Sequence, residues 1–549
     1  MRRLGVFAIA LLALGAAGWL AWPRLVFRLP GVVGRILDPI AAPQAVVWSP
    51  GPEVPAAPPS ERPPNVVVIV ADDLGWNDVS WNGGVAAGAV PTPHIDSIAR
   101  DGVSFGAGYA GNATCAPSRA AILTGRYPTR FGFEFTPAPK AFMRLVAGFP
   151  YETRRPVYFA EREAQVPPMS EQGLPPEEIT LAELLRERGY RTLALGKWHL
   201  GEAERLRPTA QGFDEFLGFY PGGALYGELG DPALVEARSS LDPIDRFLWA
   251  NLAFAVRKDE GKRFRPSGYL TDVLADEAAR AVDANRNRPF FLYLAFNAPH
   301  TPLQATKADV DALAAIEDPT LRVYGAMVRA LDRGVGRVLE ALRRNGLEEN
   351  TLVLFVSDNG GADYVGLRDL NAPYRGWKMT FFEGGVRTPY FAKWPARLPR
   401  GARFDAPVAH VDVFATAAAA AGAALPDDRP MDGVDLVPYA RGEAPGEPHE
   451  ALFWRSGHYR TVLAGGWKLQ VSERPPRTWL FHLAGDPEER RELSAAETAR
   501  VAALRARLDA WEREQAPPAW PSLIEGQIYV DHPLGMPDLP GDEFVYWAN

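Results

Sequence analysis

The chain contains very little cysteine, and this limits how it can be stabilised. Cys115 is the single cysteine among 549 residues, so the fold cannot depend on intrachain disulfides. Basic residues are not in excess either, because 59 lysines and arginines against 67 acidic residues leave a net charge of −8. A nucleic-acid-binding protein needs a basic surface, so no nucleic-acid partner is expected. With 47% hydrophobic and 23% charged residues, the composition is that of a globular protein with a sizeable core.

A long uncharged run occurs at the N-terminus. Residues 4–22 contain no charged side chain, and they follow Arg2 and Arg3. This length is close to that needed to cross a bilayer, and the basic start also fits a secretory signal peptide. Residues 1–24 are therefore predicted to be a signal peptide or an N-terminal membrane anchor, with a buried helix as the alternative. The body would then be periplasmic or extracellular, held at the inner membrane if the segment is not cleaved.

Composition divides the rest of the chain into three parts. Proline and alanine are frequent over residues 25–63, which predicts a linker. Residues 64–445 are predicted to form the main domain, since helical and strand patterns alternate through them. Residues 446–549 are predicted to form a small C-terminal α+β subdomain, with an antiparallel sheet whose strands include Trp467 and Trp479.

The order of buried strands and amphipathic helices predicts an α/β fold. Apolar strands are expected at 65–70, 191–195, 290–296 and 351–356. Helices are expected at 181–188, 270–285, 321–344 and 495–515. Such alternation is typical of a doubly wound, mostly parallel sheet with helices on both faces. Residues 140–175 and the proline-rich end lack this periodicity, so they are predicted to be loops.

Polar residues follow the predicted strands at the points where these end. They are Asp72 and Asp73, Lys197 and His199, His300, and Asp358 and Asn359. In open α/β sheets, ligands bind beyond the carboxyl ends of the strands. The repeated placement predicts that these side chains meet in one site.

Four of these residues offer only oxygen atoms as ligands. They are Asp72, Asp73, Asp358 and Asn359. Ca²⁺ and Mg²⁺ prefer such a set, whereas zinc prefers nitrogen and sulfur. Each pair also has a structural interpretation, because Asp-Asp can cap a helix and Asp-Asn-Gly-Gly favours a turn. Two such pairs at strand ends favour the metal site.

The cationic candidates are less specific. Lys197, His199 and His300 lie at strand ends, but a lone histidine there is more often structural than catalytic. Lys378, in the segment Tyr374-Arg375-Gly376-Trp377-Lys378, would not be selected from composition. His94, His410 and His482 are predicted to be structural.

The most informative motif surrounds the cysteine. Cys115-Ala116-Pro117-Ser118-Arg119 is followed by Leu123-Thr124-Gly125-Arg126. A free cysteine alone would be interpreted as a small buried hydrophobic residue, but this combination resembles the sulfatase signature. Motifs in the expected order over residues 64–500 resemble the sulfatase family, within the alkaline-phosphatase-like superfamily. His300-Thr301-Pro302-Leu303-Gln304 and residues 350–387 resemble most the arylsulfatase B subgroup, which are N-acetylgalactosamine-4-sulfatases.

The resemblance implies that residues 64–445 are the catalytic domain, and it implies a chemical role for each site residue. A maturation enzyme would convert Cys115 to Cα-formylglycine, whose hydrate is the nucleophile. Ca²⁺, with Mg²⁺ as the alternative, would be held by Asp72, Asp73, Asp358, Asn359 and residue 115. Arg119 would steady the nucleophile and the metal site. Lys197, His199, His300 and Lys378 would surround the sulfate, with Lys197, His300 and Lys378 binding it.

The resemblance also implies a reaction in two stages. One hydroxyl of the hydrate would attack sulfur, while His300 or Lys378 protonates the departing oxygen. His199 would then remove the proton from the second hydroxyl and release sulfate. The implied substrates are sulfate monoesters, namely aryl sulfates and sulfated glycans. Two alternatives are a phosphonate monoester or phosphodiester hydrolase of the same superfamily, and a binding protein in which Cys115 is never converted.

Overall fold

The computed structural model describes residues 29–149, 154–367 and 369–549. The segment 1–24, predicted to be a signal peptide or anchor, lies outside these described residues. Within the described ranges, no helix combines the length and the apolar character needed to cross a membrane. The predicted domain boundaries after residues 63 and 445 stay predictions.

The strand Asn65–Ala71 is central in a sheet that has nine strands within the described residues. From one edge to the other the strands are Ala402–Phe404, Val103–Phe105, Tyr390–Lys393, Thr351–Ser357, Asn65–Ala71, Phe290–Ala295, Arg191–Lys197, Glu215–Phe219 and Arg257–Lys258. The five strands from Thr351–Ser357 to Glu215–Phe219 run parallel. Strands near both edges include antiparallel pairs. The predicted mostly parallel sheet is therefore confirmed.

Alternate residues of the central strand belong to two different hydrophobic cores. Val66, Val68 and Val70 pack into one core, and Val67 and Ile69 into the other. The first core contains the helices Cys115–Thr124, Leu181–Glu187 and Val411–Ala420. The second contains the helices Pro93–Arg100, Leu270–Asn285 and Pro319–Arg344. A strand covered on both faces needs apolar residues at every position, which explains the continuous β-branched run.

Capping residues explain where two helices begin. Thr180 accepts a hydrogen bond from the backbone N–H of Glu183, and the Glu183 carboxylate accepts one from the backbone N–H of Thr180. Asp318 accepts from two backbone N–H groups, and Pro319 occupies the first turn without needing a donor. The long helix therefore starts at residue 319, two residues before the predicted start.

The C-terminal part forms a separate antiparallel sheet, as predicted. Its four strands are Leu452–Ser456, Tyr459–Ala464, Trp467–Glu473 and Pro476–His482, and the helix Thr498–Glu512 follows. A three-stranded sheet contains Phe544–Ala548, Ile524–Tyr529 and Val157–Tyr158.

The prediction of loops for residues 140–175 and for the proline-rich C-terminal end is partly wrong. The structure has a helix at Lys140–Ala147 and a strand at Val157–Tyr158, and the chain ends in the strand Phe544–Ala548. Because Val157–Tyr158 is only two residues long and pairs with Ile524–Tyr529, its conformation depends on a distant partner rather than on local sequence.

Shorter elements connect these parts. The strands are Gly108–Tyr109, Leu234–Ala237, Leu303–Thr306 and Val408–Ala409. The helices are Val85–Gly88, Asp245–Asn251, Lys307–Asp311, Glu383–Val386 and Val437–Ala440. Single 3₁₀ turns or short 3₁₀ helices are Pro59–Glu61, Trp76–Asp78, Pro128–Phe131, Ala160–Gln165, Met169–Glu171, Glu204–Leu206, Pro208–Gln211, Glu348–Asn350 and Asp363–Val365.

Candidate active site

The carboxyl ends of the parallel strands bring the predicted polar residues together. Asp72 follows Asn65–Ala71, Lys197 ends Arg191–Lys197, and Asp358 follows Thr351–Ser357. All three side chains are buried. The Lys197 ammonium donates to both carboxylate oxygens of Asp72, at 2.9 and 2.7 Å. Side chains that are far apart in the sequence thus form one buried polar cluster.

Cys115 is the first residue of the helix Cys115–Thr124, next to the cluster. Its sulfur lies 3.6 Å from Asp72 Oδ1 and 3.7 Å from Asp73 Oδ1. Burial raises the pKa of the Cys115 thiol, although the Lys197 and Lys378 ammonium groups oppose the shift. Since the thiolate is the reactive form of cysteine, an unmodified Cys115 would be a poor nucleophile here.

The signature motif also explains how this helix ends. Gly125 adopts a left-handed conformation, with φ of 67°, and its N–H donates to the carbonyl of Ala121. Glycine is favoured at such a position because it has no Cβ to strain the backbone. A Cβ at Gly125 would also meet the Phe414 side chain at 2.7 Å. The glycine of the motif therefore has a structural role.

Arg119 lies one helical turn after Cys115 and is fully buried. Its Nε donates to Asp358 Oδ2 at 2.9 Å, and its Nη1 donates to the Lys197 carbonyl at 3.1 Å. Its Nη2 is 3.6 Å from Asp72 Oδ1. A planar guanidinium suits this multiple contact. Arg119 thus joins three strand ends to the helix that carries the cysteine.

Four side chains of the site lie close enough together to hold a metal ion. One ligand atom each from Asp72, Asp73, Cys115 and His300 lie within 4.8 Å of one another. Asn359 donates through Nδ2 to Asp73 Oδ1 at 2.8 Å, and its buried Oδ1 has no hydrogen-bond partner among the described residues. A buried acceptor without a donor is costly. Carboxylate and amide oxygens of this kind are the ligands of Ca²⁺ and Mg²⁺.

The formal charges of the site balance before a cation is counted. The carboxylates of Asp72, Asp73 and Asp358 contribute −3, and Arg119, Lys197 and Lys378 contribute +3, although the whole chain is acidic. A divalent cation would make the pocket positive. Such a pocket favours an anionic substrate in a low-dielectric environment.

Lys378 is brought to the site from the loop that precedes Glu383–Val386. Its ammonium is 2.8 Å from Asp73 Oδ2 and 3.3 Å from the Cys115 sulfur. Burial opposes its charge, but the Asp73 carboxylate and the other acidic groups around it together raise the pKa of Lys378. Burial alone would raise the pKa of Asp73, yet Lys378, His300 and Lys197 hold it well below its usual range.

Two histidines complete the predicted set. His199 is buried, and burial together with the Lys197 charge holds its pKa well below the usual value. Gly222 packs against its imidazole, where a Cβ would lie 2.6 Å from Nε2. His199 is therefore neutral in this site.

His300 has one ring nitrogen fixed by the backbone. Its Nδ1 is 2.6 Å from the Thr301 carbonyl, which can only accept, so Nδ1 carries a hydrogen. Its Nε2 faces Asp73 Oδ2 at 3.6 Å. Burial lowers the pKa of His300 to about 4, despite the Asp72 and Asp73 carboxylates.

All ten predicted site residues thus lie in or around one cluster.

Tyr364 belongs to the site but is missed by sequence reasoning. Its hydroxyl donates to Asp73 Oδ2 at 3.1 Å, and Lys378 Nζ donates to the same hydroxyl at 3.4 Å. The available signal is its place in the loop that begins with Asp358 and Asn359. A tyrosine in a loop carries no periodic pattern, so only the fold shows where its hydroxyl points.

Comparison with known protein families identifies the family of this chain. The family model described as Sulfatase matches residues 64–423. The chain belongs to the sulfatase family. The predicted family and enzyme class are therefore confirmed, and the protein is a sulfuric ester hydrolase. The assignment to the arylsulfatase B subgroup stays a prediction.

Similar proteins include two sulfatases of animals. The steryl-sulfatase of Mus musculus is 36% identical over 460 residues, which cover 72% of this chain and 68% of the relative. The N-acetylgalactosamine-6-sulfatase of Canis lupus familiaris is 32% identical over 475 residues, 80% of this chain and 83% of the relative.

Solved structures show the same fold. The crystal structure of Ps i-CgsB in complex with k-i-k-neocarrahexaose has a TM-score of 0.69 and 33% identity, and covers 84% of this chain and 95% of its own. The phosphonate monoester hydrolase of Agrobacterium radiobacter has a TM-score of 0.56 and 19% identity, and covers 82% of this chain and 96% of its own. The second similarity shows the fold alone, and the predicted alkaline-phosphatase-like architecture is confirmed.

Proposed function

We propose that this sulfatase hydrolyses sulfate monoesters with a formylglycine made from Cys115. The observation that carries the proposal is the position of the cysteine sulfur. It lies within 3.7 Å of the carboxylates of Asp72 and Asp73 and 3.3 Å from the Lys378 ammonium. The formylglycine hydrate would supply the nucleophilic oxygen.

The metal in this proposal is Ca²⁺, with Mg²⁺ as the alternative. Asp72, Asp73, Asp358, Asn359 and the side chain of residue 115 would hold it. When bound, the ion would supply positive charge next to the sulfate oxygens. The buried Asn359 Oδ1, which lacks a donor among the described residues, supports this assignment.

The chain's own residues have distinct tasks in the proposal. Lys197 and Lys378 are buried cations that bind the sulfate oxygens and stabilise the charge that develops on them. Lys378, which is protonated, donates a proton to the departing alcohol oxygen, or His300 does so once substrate binding has protonated its Nε2. His199 accepts the proton from residue 115 when sulfate is released, a role that suits its neutral imidazole. Arg119 holds the nucleophile helix against Asp358.

The proposed substrates are sulfated glycans, with aryl sulfates as test substrates. The proposal draws on similarity to a glycan sulfatase, the N-acetylgalactosamine-6-sulfatase of Canis lupus familiaris, and to a structure holding a neocarrahexaose. A maturation enzyme that converts Cys115 is the implied protein partner. We also propose a periplasmic or extracellular location, with residues 4–22 acting as a signal peptide or an inner-membrane anchor.

A peptide mass measurement combined with a rate comparison tests the proposal. Conversion of the Cys115 thiol to an aldehyde lowers the mass of its peptide by about 18 Da. The converted protein should release sulfate from nitrophenyl sulfate much faster than it hydrolyses phenyl phosphonate. The Cys115→Ala variant should keep its fold and lose turnover. A faster phosphonate reaction would favour the alternative hydrolase, and an unconverted, inactive protein would favour the binding function.

A further inference from the structure

The helix over residues 29–37 carries a row of exposed apolar side chains. Its members are Leu29, Val32, Val33, Ile36 and Leu37, and they are between 41% and 79% exposed. Their spacing of three and four residues places all five on one face of the helix. Monomeric soluble proteins rarely leave such a contiguous apolar row uncovered.

The opposite face of this helix contacts the body of the protein. Gly31 is buried, and its N–H donates to Asn251 Oδ1 at 2.7 Å. A Cβ at Gly31 would lie 2.7 Å from the Ala250 carbonyl oxygen, so a glycine is needed for this close approach. At 100° per residue, Gly31 lies opposite the centre of the apolar row. The helix therefore presents its large apolar side chains away from the protein.

Asp38 fixes the end of the helix to the same part of the fold. Its carboxylate pairs with Arg257 and Arg263, and the Arg263 Nε lies 3.0 Å from Asp38 Oδ2. Arg257 belongs to Arg257–Lys258, the edge strand of the large sheet. The helix is thus held to the body by polar contacts at Gly31 and at Asp38. These contacts fix the outward orientation of the apolar row.

We propose that this apolar face rests on a lipid bilayer. Two features of the sequence point to lipid rather than to a protein partner. Residues 4–22, just before the helix, contain no charge over a length that suits a bilayer. In the sequence, Arg24 and Arg28 precede the apolar row and Arg35 lies within it, a combination of basic and apolar residues that is typical of helices at the surface of anionic membranes.

The proposal determines the orientation of the enzyme relative to the membrane. The edge strand Arg257–Lys258 lies toward the bilayer, and the opposite edge, Ala402–Phe404, lies away from it. The contact holds whether or not residues 1–24 are cleaved, because the row belongs to residues 29–37. It is also independent of the proposed chemistry at Cys115.

The low cysteine content of the chain allows a site-specific test. Cys115 is 3% exposed, so an introduced surface cysteine is the accessible thiol. Ile36→Cys places a probe in the apolar row, and Gly34→Cys is the matched control, since a Cβ at Gly34 meets nothing within 4 Å. Each full-length variant is labelled with an environment-sensitive fluorophore and mixed with phosphatidylcholine–phosphatidylglycerol vesicles, with and without brominated acyl chains.

The expected result is a difference between the two positions. The label at residue 36 should shift to the blue and lose about half or more of its emission in brominated vesicles, as a probe at the headgroup–acyl boundary does. The label at residue 34 should be little affected. Equal responses at both positions would overturn the proposal. A blue shift at residue 36 without vesicles would also overturn the proposal, because it would show that protein buries the apolar row. A shift that depends on protein concentration would assign the burial to a second copy, and one that does not would assign it to the chain itself.

Discussion

The Lys468 ammonium lies 2.8 Å from Glu383 Oε1, and both side chains are fully buried. Lys468 belongs to the C-terminal strand Trp467–Glu473, whereas Glu383 follows Lys378 by five residues. The ammonium is also 3.1 Å from Glu489 Oε1. The C-terminal subdomain thus contacts the loop that carries a cation of the active site.

The C-terminal subdomain makes two further contacts with the loop that carries Lys378. Trp377 Nε1 donates to the Tyr529 carbonyl at 2.6 Å, and the Phe381 N–H donates to the Tyr459 hydroxyl at 3.1 Å. Lys378 points the other way, toward Cys115. The C-terminal subdomain is therefore expected to position Lys378.

The first prediction concerns this positioning. Lys468→Met would leave Glu383 with Arg387 as its remaining cation and would take from Glu489 the ammonium that separates it from Glu383, which is costly for buried carboxylates. We expect kcat/KM for nitrophenyl sulfate to fall at least about tenfold. The effect should largely vanish in a Lys378→Ala background, because Lys468 acts through Lys378. A double-mutant cycle of the two substitutions measures this coupling.

A second buried lysine serves as the control for this cycle. Lys393 is ion-paired with Glu348 at 2.6 Å but lies on the large sheet, away from the loop. Lys393→Met should lower stability without coupling to Lys378→Ala. If Lys468→Met and Lys378→Ala are additive, the positioning role is wrong and Lys468 only stabilises the fold.

The second prediction concerns the metal. Removal of a cation from Asp72, Asp73 and Asp358 should lower activity and thermal stability together, and Ca²⁺ should restore both. A ligand at a hundred times its Kd stabilises a protein by about 2.7 kcal/mol, a shift of a few degrees in Tm for a chain of this size. Calorimetry before and after chelation measures it. No change in either property after metal loss, proved by elemental analysis, would refute the ligand assignment.

The third prediction separates the two histidines. If His300 protonates the leaving oxygen, His300→Ala should slow sulfated sugars at least about tenfold more than nitrophenyl sulfate, whose oxygen needs little protonation. His199→Ala should slow all substrates similarly, because its proton transfer follows departure of the alcohol. Rates for a series of leaving groups decide between them. Equal losses for alkyl and nitrophenyl esters in His300→Ala would assign the acid role to Lys378.

The fourth prediction concerns the Tyr364 hydroxyl, which bridges Asp73 and Lys378. Tyr364→Phe removes one hydrogen-bonding group, and we expect kcat/KM to fall about three- to tenfold, the usual effect of one such bond. The Tm should stay nearly constant. Tyr374→Phe, in the same loop, is the matched control and should leave kcat/KM unchanged. Identical rates for both variants would remove Tyr364 from the site.

The fifth prediction follows from His410, a buried residue whose Nδ1 lies 3.0 Å from Ser118 Oγ on the nucleophile helix. Burial lowers the pKa of His410 from 6.5 to about 3. The unfolded chain therefore takes up a proton below pH 6.5 that the folded chain does not, so stability falls as pH falls. This one group should contribute a loss of about 2 kcal/mol in the free energy of unfolding between pH 8 and pH 5.

Urea unfolding at both pH values checks this contribution. His410→Asn keeps a polar atom near Ser118 but does not titrate in this range. The variant should lose about 2 kcal/mol less than the wild type on acidification. The same pH dependence in both proteins would show that His410 does not carry the effect.

Local patterns in the sequence are enough to predict the scaffold and most of the site. Residues 65–70 are apolar at every position, which identifies a strand covered on both faces. Asp72 and Asp358 follow such strands, and parallel strands end at the same edge of a sheet. The cysteine signature then indicates the family through its resemblance to sulfatases, and it can be recognised locally because its residues are close together in the sequence.

Only the tertiary structure decides features that depend on distant partners. Lys378 is indicated by family resemblance alone, and the segment around it contacts Lys468 and Tyr529, which are far away in sequence. Tyr364 reaches Asp73 through a loop without periodicity. The outward face of residues 29–37 becomes visible only when Gly31 is seen against Asn251. A local pattern predicts which residues lie on one face of a helix or strand, but tertiary packing determines what that face contacts.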